Sequence, residues 1–217
     1  MKKVISLVLV AILSLSLAVS CGKKSEDGMS GVYKADSTVY AFIDGGVVAY
    51  NAIGARFCTY TVEGDSLTIG GDTVAKSALT ASSLEFSGGA GSEYFVTSVV
   101  GGAKTVTALT EAGKAQTALV IPHEIDDIAE GVFEGSSVKA IVIPEGSALN
   151  LSNGSLKNGG GISVLISGSI APGTDLTCGN SLLDGTSGVT FYIEKGALSS
   201  YKSHYAWGLF KDNMKGI

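Results

Sequence analysis

The feature that most constrains the fold is a short apolar run that recurs along the second half of the chain. Residues 118–122 read Ala-Leu-Val-Ile-Pro, and residues 140–144 read Ala-Ile-Val-Ile-Pro, 22 positions later. Weaker copies follow at 164–167 and at 191–194. One such unit cannot bury its own apolar face, whereas stacked units bury a continuous core. The repeat therefore predicts short strands aligned in a parallel sheet, each ended by its proline where one is present.

The first full copy, residues 119–144, reads LVIPHEIDDIAEGVFEGSSVKAIVIP. It resembles the BspA-like leucine-rich repeat, whose pattern is L-x-I-P-x-x-V-x-x-I-x-x-x-A-F-x-x-C-x-x-L-x-x-V-x-I-P. Val132 stands where the family has Ala, and the later copies lose both the Pro and the Ala-Phe pair. The resemblance implies a mainly β chain with a leucine-rich-repeat solenoid over residues 111–217. It also implies binding of protein or glycan, since such repeats are common in secreted and surface proteins and some members are adhesins.

The end of the chain, residues 191–207, is similar to the terminal segment of the same family. Two short helices are expected, near 196–203 and 205–213. Trp207, Leu209 and Phe210 would then form a terminal helical cap over the open end of the repeat core.

The first half of the mature chain shows strand-like runs separated by glycine turns. Turn sequences such as Asp44-Gly45-Gly46 and Glu63-Gly64-Asp65 recur every 8 to 12 residues or so, which is typical of an antiparallel β meander. Residues 30–110 resemble the small lipocalin-like domains of bacterial lipoproteins. A closed barrel would hold a small ligand, whereas a half-barrel or filled sheet would not. Five tyrosines either line such a pocket or simply favour strands: Tyr33, Tyr40, Tyr50, Tyr60 and Tyr94.

The N-terminus carries the marks of an export signal. Lys2 and Lys3 precede an uncharged run that ends at Ser20-Cys21, the design of a secretory signal peptide. The residues before Cys21 resemble a bacterial lipobox, although Ala18 stands where Leu is usual. The resemblance implies a signal peptide over 1–20, lipidation of Cys21, a flexible tether over 21–29 and anchoring at the cell envelope. The alternative is an ordinary signal peptide with a chance cysteine near the cut.

Charge excludes one class of partner. Cleavage before Cys21 would remove Lys2 and Lys3, leaving 13 basic and 20 acidic residues and a net charge of −7. An acidic surface repels phosphate backbones, so nucleic acid is not an expected partner. Arg56 is the only arginine, which also disfavours a nucleotide-handling protein.

No arrangement of residues predicts catalysis, a metal or a cofactor. His123 and His204 have no partner at metal-ligand spacing, and no nucleophile motif or phosphate loop is present. Cys58 and Cys178 either pair or remain two buried thiols. An acidic cluster either binds Ca²⁺ weakly or forms a solvated turn; its members are Glu124, Asp126, Asp127 and Glu130.

The sequence therefore favours a surface lipoprotein, anchored to the membrane, whose repeat domain binds an extracellular protein or glycan. The alternative is a lipocalin-like carrier of a small hydrophobic ligand, with the repeat as a spacer. An enzyme is disfavoured, and only Cys21 is predicted as a functional residue.

Overall fold

The structure, a computed structural model, describes residues 28–87 and 91–217 and is mainly β. The expected antiparallel meander is confirmed in the first part of the chain. Its eight described strands are β1 (Gly31–Ala35), β2 (Thr38–Ile43), β3 (Gly46–Asn51), β4 (Gly54–Cys58), β5 (Tyr60–Glu63), β6 (Ser66–Ile69), β7 (Asp72–Ala75) and β8 (Thr80–Ala81).

The meander forms two sheets, one in the order β4-β3-β2-β1-β8 and a smaller one in the order β5-β6-β7. The chain passes from the larger sheet to the smaller at Thr59, between β4 and β5. At the β2–β3 turn, Gly45 has a φ of +82°, a conformation that glycine adopts without strain. Both faces of the larger sheet are filled by side chains, and β4 and β8 remain its two edges.

The rest of the chain alternates between two further sheets. Its strands are β9 (Phe95–Val100), β10 (Ala103–Leu109), β11 (Ala118–Val120), β12 (Asp127–Ile128), β13 (Ala140–Ile143), β14 (Leu149–Leu151), β15 (Ser163–Ile166), β16 (Leu176–Cys178), β17 (Thr190–Ile193) and β18 (Met214–Gly216). We call this the two-sheet part. A single helical turn, α1 (Glu111–Lys114), precedes β11, and α2 (Lys195–Ser203) follows β17.

The recurring apolar runs form the first parallel sheet, in the order β11-β13-β15-β17-β18. Equivalent positions stand in register across it: Leu119 opposite Ile141, Ile141 opposite Val164, and Val164 opposite Phe191. The second sheet has the order β16-β14-β12-β10-β9. Its first two strands along the chain, β9 and β10, lie within the range 30–110 that was predicted for the meander, yet β10 pairs with β12.

The main core lies between these two sheets and closes on aromatic residues from the C-terminus. Trp207 is fully buried, with ring centroids 5.3 Å from Phe191 and 5.4 Å from Tyr201. Its indole Nε1–H donates to the Leu176 carbonyl oxygen at 2.8 Å. Leu209, expected beside Trp207 in the core, is instead 61% exposed.

The meander covers the outer face of the first parallel sheet. Alternate side chains of the sheet point away from the main core and pack against β1, β2 and β3; they are Ala118, Val120, Ala140, Val142, Leu165 and Tyr192. Residues 82–87, which follow β8, lie in no strand. Leu84 and Phe86 in this segment are fully buried in the same cluster.

Polar contacts fasten this junction. The Ser167 hydroxyl donates to the Leu84 carbonyl oxygen at 2.7 Å, and the Glu145 N–H donates to the Phe86 carbonyl oxygen at 2.9 Å. The Asp44 N–H donates to the Tyr192 hydroxyl oxygen at 3.0 Å. Burial raises the pKa of Tyr192 to about 12. The outer face of the first parallel sheet is therefore occupied by the chain itself.

Candidate binding groove

A groove of about 510 Å³ opens where the meander meets the start of the two-sheet part. Strands β2, β3 and β4, the first residue of β7 and strand β11 contribute to it. Its lining combines small, polar and apolar side chains with two tyrosines. The lining residues are Thr38, Tyr40, Ala49, Asn51, Ile53, Gly54, Ala55, Arg56, Asp72, Tyr94, Gln116, Ala118, Leu119 and Val120.

Strand pairing places a charged group on the groove wall. Arg56 stands opposite Ala49, which stands opposite Tyr40 on the next strand, so these three residues share one face of the sheet. The Arg56 guanidinium forms an ion pair with the Asp72 carboxylate, and both side chains are about half-exposed or more. The hydrogen bond that Arg56 donates to the Asp72 carboxylate raises the pKa of Arg56 above its ordinary value.

Two amides and two phenols complete the polar lining. The Asn51 Oδ1 accepts from the Ile53 N–H at 3.0 Å, and the Gln116 Nε2–H donates to the Ala112 carbonyl oxygen at 3.2 Å. Each amide thus keeps one end without a hydrogen bond to another described residue. Tyr40 and Tyr94 contribute their rings. The groove therefore offers donors, acceptors and aromatic faces together.

A row of polar side chains crosses the outward face of the second sheet. Asp127, Asn150 and Thr177 stand in register on β12, β14 and β16. The Asn150 amide donates to the Asp127 carboxylate at 2.7 Å and accepts from the Thr177 hydroxyl at 2.9 Å. The Ser152 hydroxyl also donates to Asp127, at 2.8 Å. The row satisfies its own hydrogen bonds, so it forms a polar surface of fixed geometry rather than a pocket.

The acidic residues of the first repeat bind to separate partners instead of facing one another. Asp126 accepts from the Lys104 N–H at 2.7 Å, and Glu124 pairs with the Lys104 ammonium. Glu130 forms an ion pair with Lys157. Within residues 28–87 and 91–217, no group of three or more His, Cys, Asp or Glu side chains is arranged to hold a metal ion.

None of the two histidines and two described cysteines lines the groove. His123 is exposed. The His204 Nδ1 accepts from the Ala206 N–H at 3.3 Å, just before the 3-10 helix Trp207–Asn213. Cys58 and Cys178 are both free thiols and half-buried. Burial raises the pKa of each thiol, that of Cys178 to about 11.

The tyrosines divide between groove and core. Tyr40 and Tyr94 line the groove. Tyr33 and Tyr60 each contact Phe42 edge-on, and Tyr50 contacts Phe86 in the same way. The sequence marked Arg56 only as the sole arginine and gave no sign that Asp72 would pair with it.

Cys21, the predicted lipidation site, lies outside the described residues, as do the signal peptide and most of the tether. None of the helices in the described ranges has the length and apolar character needed to cross a membrane. No family model matches the chain, and neither a curated protein nor a solved structure matches it significantly.

Proposed function

We propose that this chain is an exported lipoprotein, anchored to the cell envelope through Cys21, that binds an external glycan in the groove beside Arg56. The repeat would belong to the BspA-like leucine-rich-repeat solenoids, with the segment around Trp207 as its terminal cap. Support for that assignment comes from strands that recur in parallel register from β11 to β17. The export signal and Cys21 support the anchoring.

The groove is the observation that carries the binding proposal. The outer face of the first parallel sheet would be the natural ligand surface of a repeat array, but the meander covers it. The groove lies at the margin of that covered face, and β11, the first strand of the sheet, forms part of its lining. Ligand binding is therefore assigned to the junction of the two parts rather than to the repeat alone.

Groove chemistry favours a glycan over a protein segment. Sugar hydroxyls both donate and accept, and the groove offers donors at the Asn51 Nδ2 and the Arg56 guanidinium and an acceptor at the Gln116 Oε1. Tyrosine rings offer apolar faces to the C–H side of a sugar. The ion pair of Arg56 with Asp72 balances the charge locally, so the expected ligand is neutral.

The lipocalin-like alternative finds less support. A carrier of a small hydrophobic ligand needs an enclosed apolar cavity. In the meander, Phe42, Leu67 and Ile69 fill the space between its two sheets, and Tyr50 and Phe86 fill the space toward the two-sheet part.

The test is to screen the whole chain and the variants Arg56→Ala and Asp72→Asn against one array of neutral glycans and matrix proteins. Both variants should lose at least about tenfold in glycan affinity, because a hydrogen bond to a charged group contributes roughly 1.5–3 kcal/mol. Lys157→Ala, which removes a comparable ion pair with Glu130 away from the groove, should bind like the parent.

Two results would contradict the proposal. Glycan binding that is unchanged in Arg56→Ala would place the site elsewhere. Saturable binding to a matrix protein alone, lost in the same variant, would support the groove as the binding site but show that its ligand is a protein rather than a glycan.

A further inference from the structure

The outermost strand of the second sheet, β9, is exposed along nearly its whole length. Five of its six residues are exposed, and only Phe95 is buried. Val96, Val99 and Val100 are 45%, 76% and 57% exposed, which makes them three of the few large apolar side chains that face solvent in the described chain. No described strand pairs with the outer edge of β9. Soluble proteins normally protect such an edge with charge, proline or a covering segment.

The hydrogen-bond phase of the β9–β10 hairpin fixes which backbone groups face outward. Gly101 and Gly102, both at positive φ, form a two-residue turn that closes on the pair Val100 and Ala103. In such a hairpin, pairs that exchange hydrogen bonds alternate with pairs that do not. Ser98 therefore bonds inward to β10, whereas the N–H and C=O groups of Thr97 and Val99 point outward.

Independent bonds on the far side of β10 confirm this phase. The Asp126 N–H donates to the Lys104 carbonyl oxygen at 2.9 Å, and the Ala129 N–H donates to the Val106 carbonyl oxygen at 3.0 Å. Lys104 and Val106 thus direct their backbone groups toward β12 and away from β9. Their partners Val99 and Thr97 consequently have no ladder bonds to β10.

The outward groups of β9 are complementary to a second copy of β9. Thr97 and Val99 lie symmetrically about Ser98, so two antiparallel β9 strands related by a twofold axis exchange four hydrogen bonds. In that register Ser98 stands opposite Ser98 of the other copy, in a pair that exchanges no backbone bonds. Val96 stands opposite Val100, so these two exposed valines cover each other, and Val99 stands opposite Thr97.

We propose that this chain self-associates through β9, joining the second sheets of two copies into one continuous sheet about a twofold axis at Ser98. Charge favours a second copy at this place on the surface. The chain has a net charge of −5, so copies repel over most of their surfaces, while β9 carries no charged residue. Closed twofold contacts are also the commonest form of self-association.

A six-residue strand edge is small beside the roughly 1,000 Å² that a stable interface buries, so the association is weak and is best detected by trapping. In the proposed register the Ser98 Cα atoms lie about 4.5 Å apart, within disulfide range. The two Val100 Cα atoms lie about 13 Å apart along the strands, outside that range.

The experiment compares Ser98→Cys with Val100→Cys in the whole chain under mild oxidation, with non-reducing electrophoresis as the readout. Both variants share the background of Cys21, Cys58 and Cys178, and unchanged Trp207 fluorescence shows that each is folded. Ser98→Cys should give at least about fivefold more linked dimer, since only its sulfurs reach bonding geometry. Equal or absent dimer formation overturns the proposal, as does linkage of Ser98→Cys only to a different protein.

A second comparison tests the pairing without a cysteine. Val96→Lys and Val100→Glu should each weaken self-association. An equimolar mixture should restore it, because the introduced ammonium of one copy would face the introduced carboxylate of the other. Restoration measured by sedimentation supports the register. A mixture that associates no better than either variant alone overturns it.

Discussion

Two buried serine hydroxyls in the two-sheet part differ in one respect. The Ser155 side chain is fully buried, and its hydroxyl has no hydrogen-bond partner among the described residues. The Ser167 hydroxyl is equally buried and donates to the Leu84 carbonyl oxygen. A buried polar group without a partner lowers stability, whereas a satisfied one maintains it.

We therefore predict opposite signs for the same substitution at these two sites. Ser155→Ala should raise the free energy of unfolding by about 1 kcal/mol, and Ser167→Ala should lower it by about 1 kcal/mol. Denaturant unfolding followed by circular dichroism measures both. Equal destabilisation by the two variants would show that the Ser155 hydroxyl is bonded in solution.

The half-buried thiol of Cys178 gives a prediction about pH. Burial raises its pKa from 9.0 to about 11, so at pH 8 the thiolate fraction falls roughly 100-fold and alkylation slows accordingly. Because the folded pKa is the higher one, the stability from this thiol is complete below about pH 9 and is lost as pH rises through 11. Iodoacetamide labelling of a variant with Cys178 as its only cysteine measures the rate. A rate at pH 8 equal to that of an unfolded control would contradict it.

Sequence alone could single out Arg56 but not its surroundings. Its rarity is visible in the composition, whereas its pairing with Asp72 depends on how two separate sheets of the meander meet. Such a contact between strands of two different sheets has no local signature. For the same reason the groove as a whole could not be predicted.

At the scale of secondary structure, the row formed by Asp127, Asn150 and Thr177 joins three strands of the second sheet. Asn150→Ala removes the central member, with its bonds to Asp127, Ser152 and Thr177, and should lower the free energy of unfolding by roughly 1–2 kcal/mol. Thr177→Val removes one bond at an exposed end and should cost less than about 0.5 kcal/mol. Thermal unfolding compares them, and equal losses would mean that the row does not stabilise the sheet.

Four strands of the first parallel sheet, β11, β13, β15 and β17, could be predicted because each is a compact apolar run in a recurring context. The fifth, β18, has the sequence Met-Lys-Gly and could not. The strands of the second sheet could not, since β12, β14 and β16 have only two or three residues. Their core side chains, such as Ile128 and Leu151, were visible as apolar positions after each run. Nothing in so short a pattern separates a strand from a turn.

At the scale of the whole molecule, the shared cluster under the meander should make both parts unfold together. Leu84 is fully buried between them, so Leu84→Ala should cost about 2–5 kcal/mol. The unfolding midpoints from Trp207 fluorescence and from far-ultraviolet circular dichroism should fall by the same amount. Leu209→Ala, at an exposed leucine, should change stability by less than about 0.5 kcal/mol.

A separation of the two probes in Leu84→Ala would contradict this cooperativity. If the Trp207 signal kept its midpoint while the circular dichroism transition became biphasic, the two-sheet part would be an independent unit. Composition and repeats predicted two regions, but the covering of one parallel sheet by the meander could not be predicted. The outward residues of the first parallel sheet, such as Val120 and Val142, read simply as part of continuous apolar runs.

The long-range contacts of Asp44 also bear on how the chain folds during synthesis. Asp44 bonds to Tyr192, 148 positions later, and pairs with Lys215, 171 positions later. A ribosome releases the N-terminal residues first, so the meander emerges long before the surface it must cover. Part of its apolar face stays open to water until β17, which supplies Tyr192, has been synthesised. We therefore expect that a chain halted before β17 aggregates more readily than one that includes it.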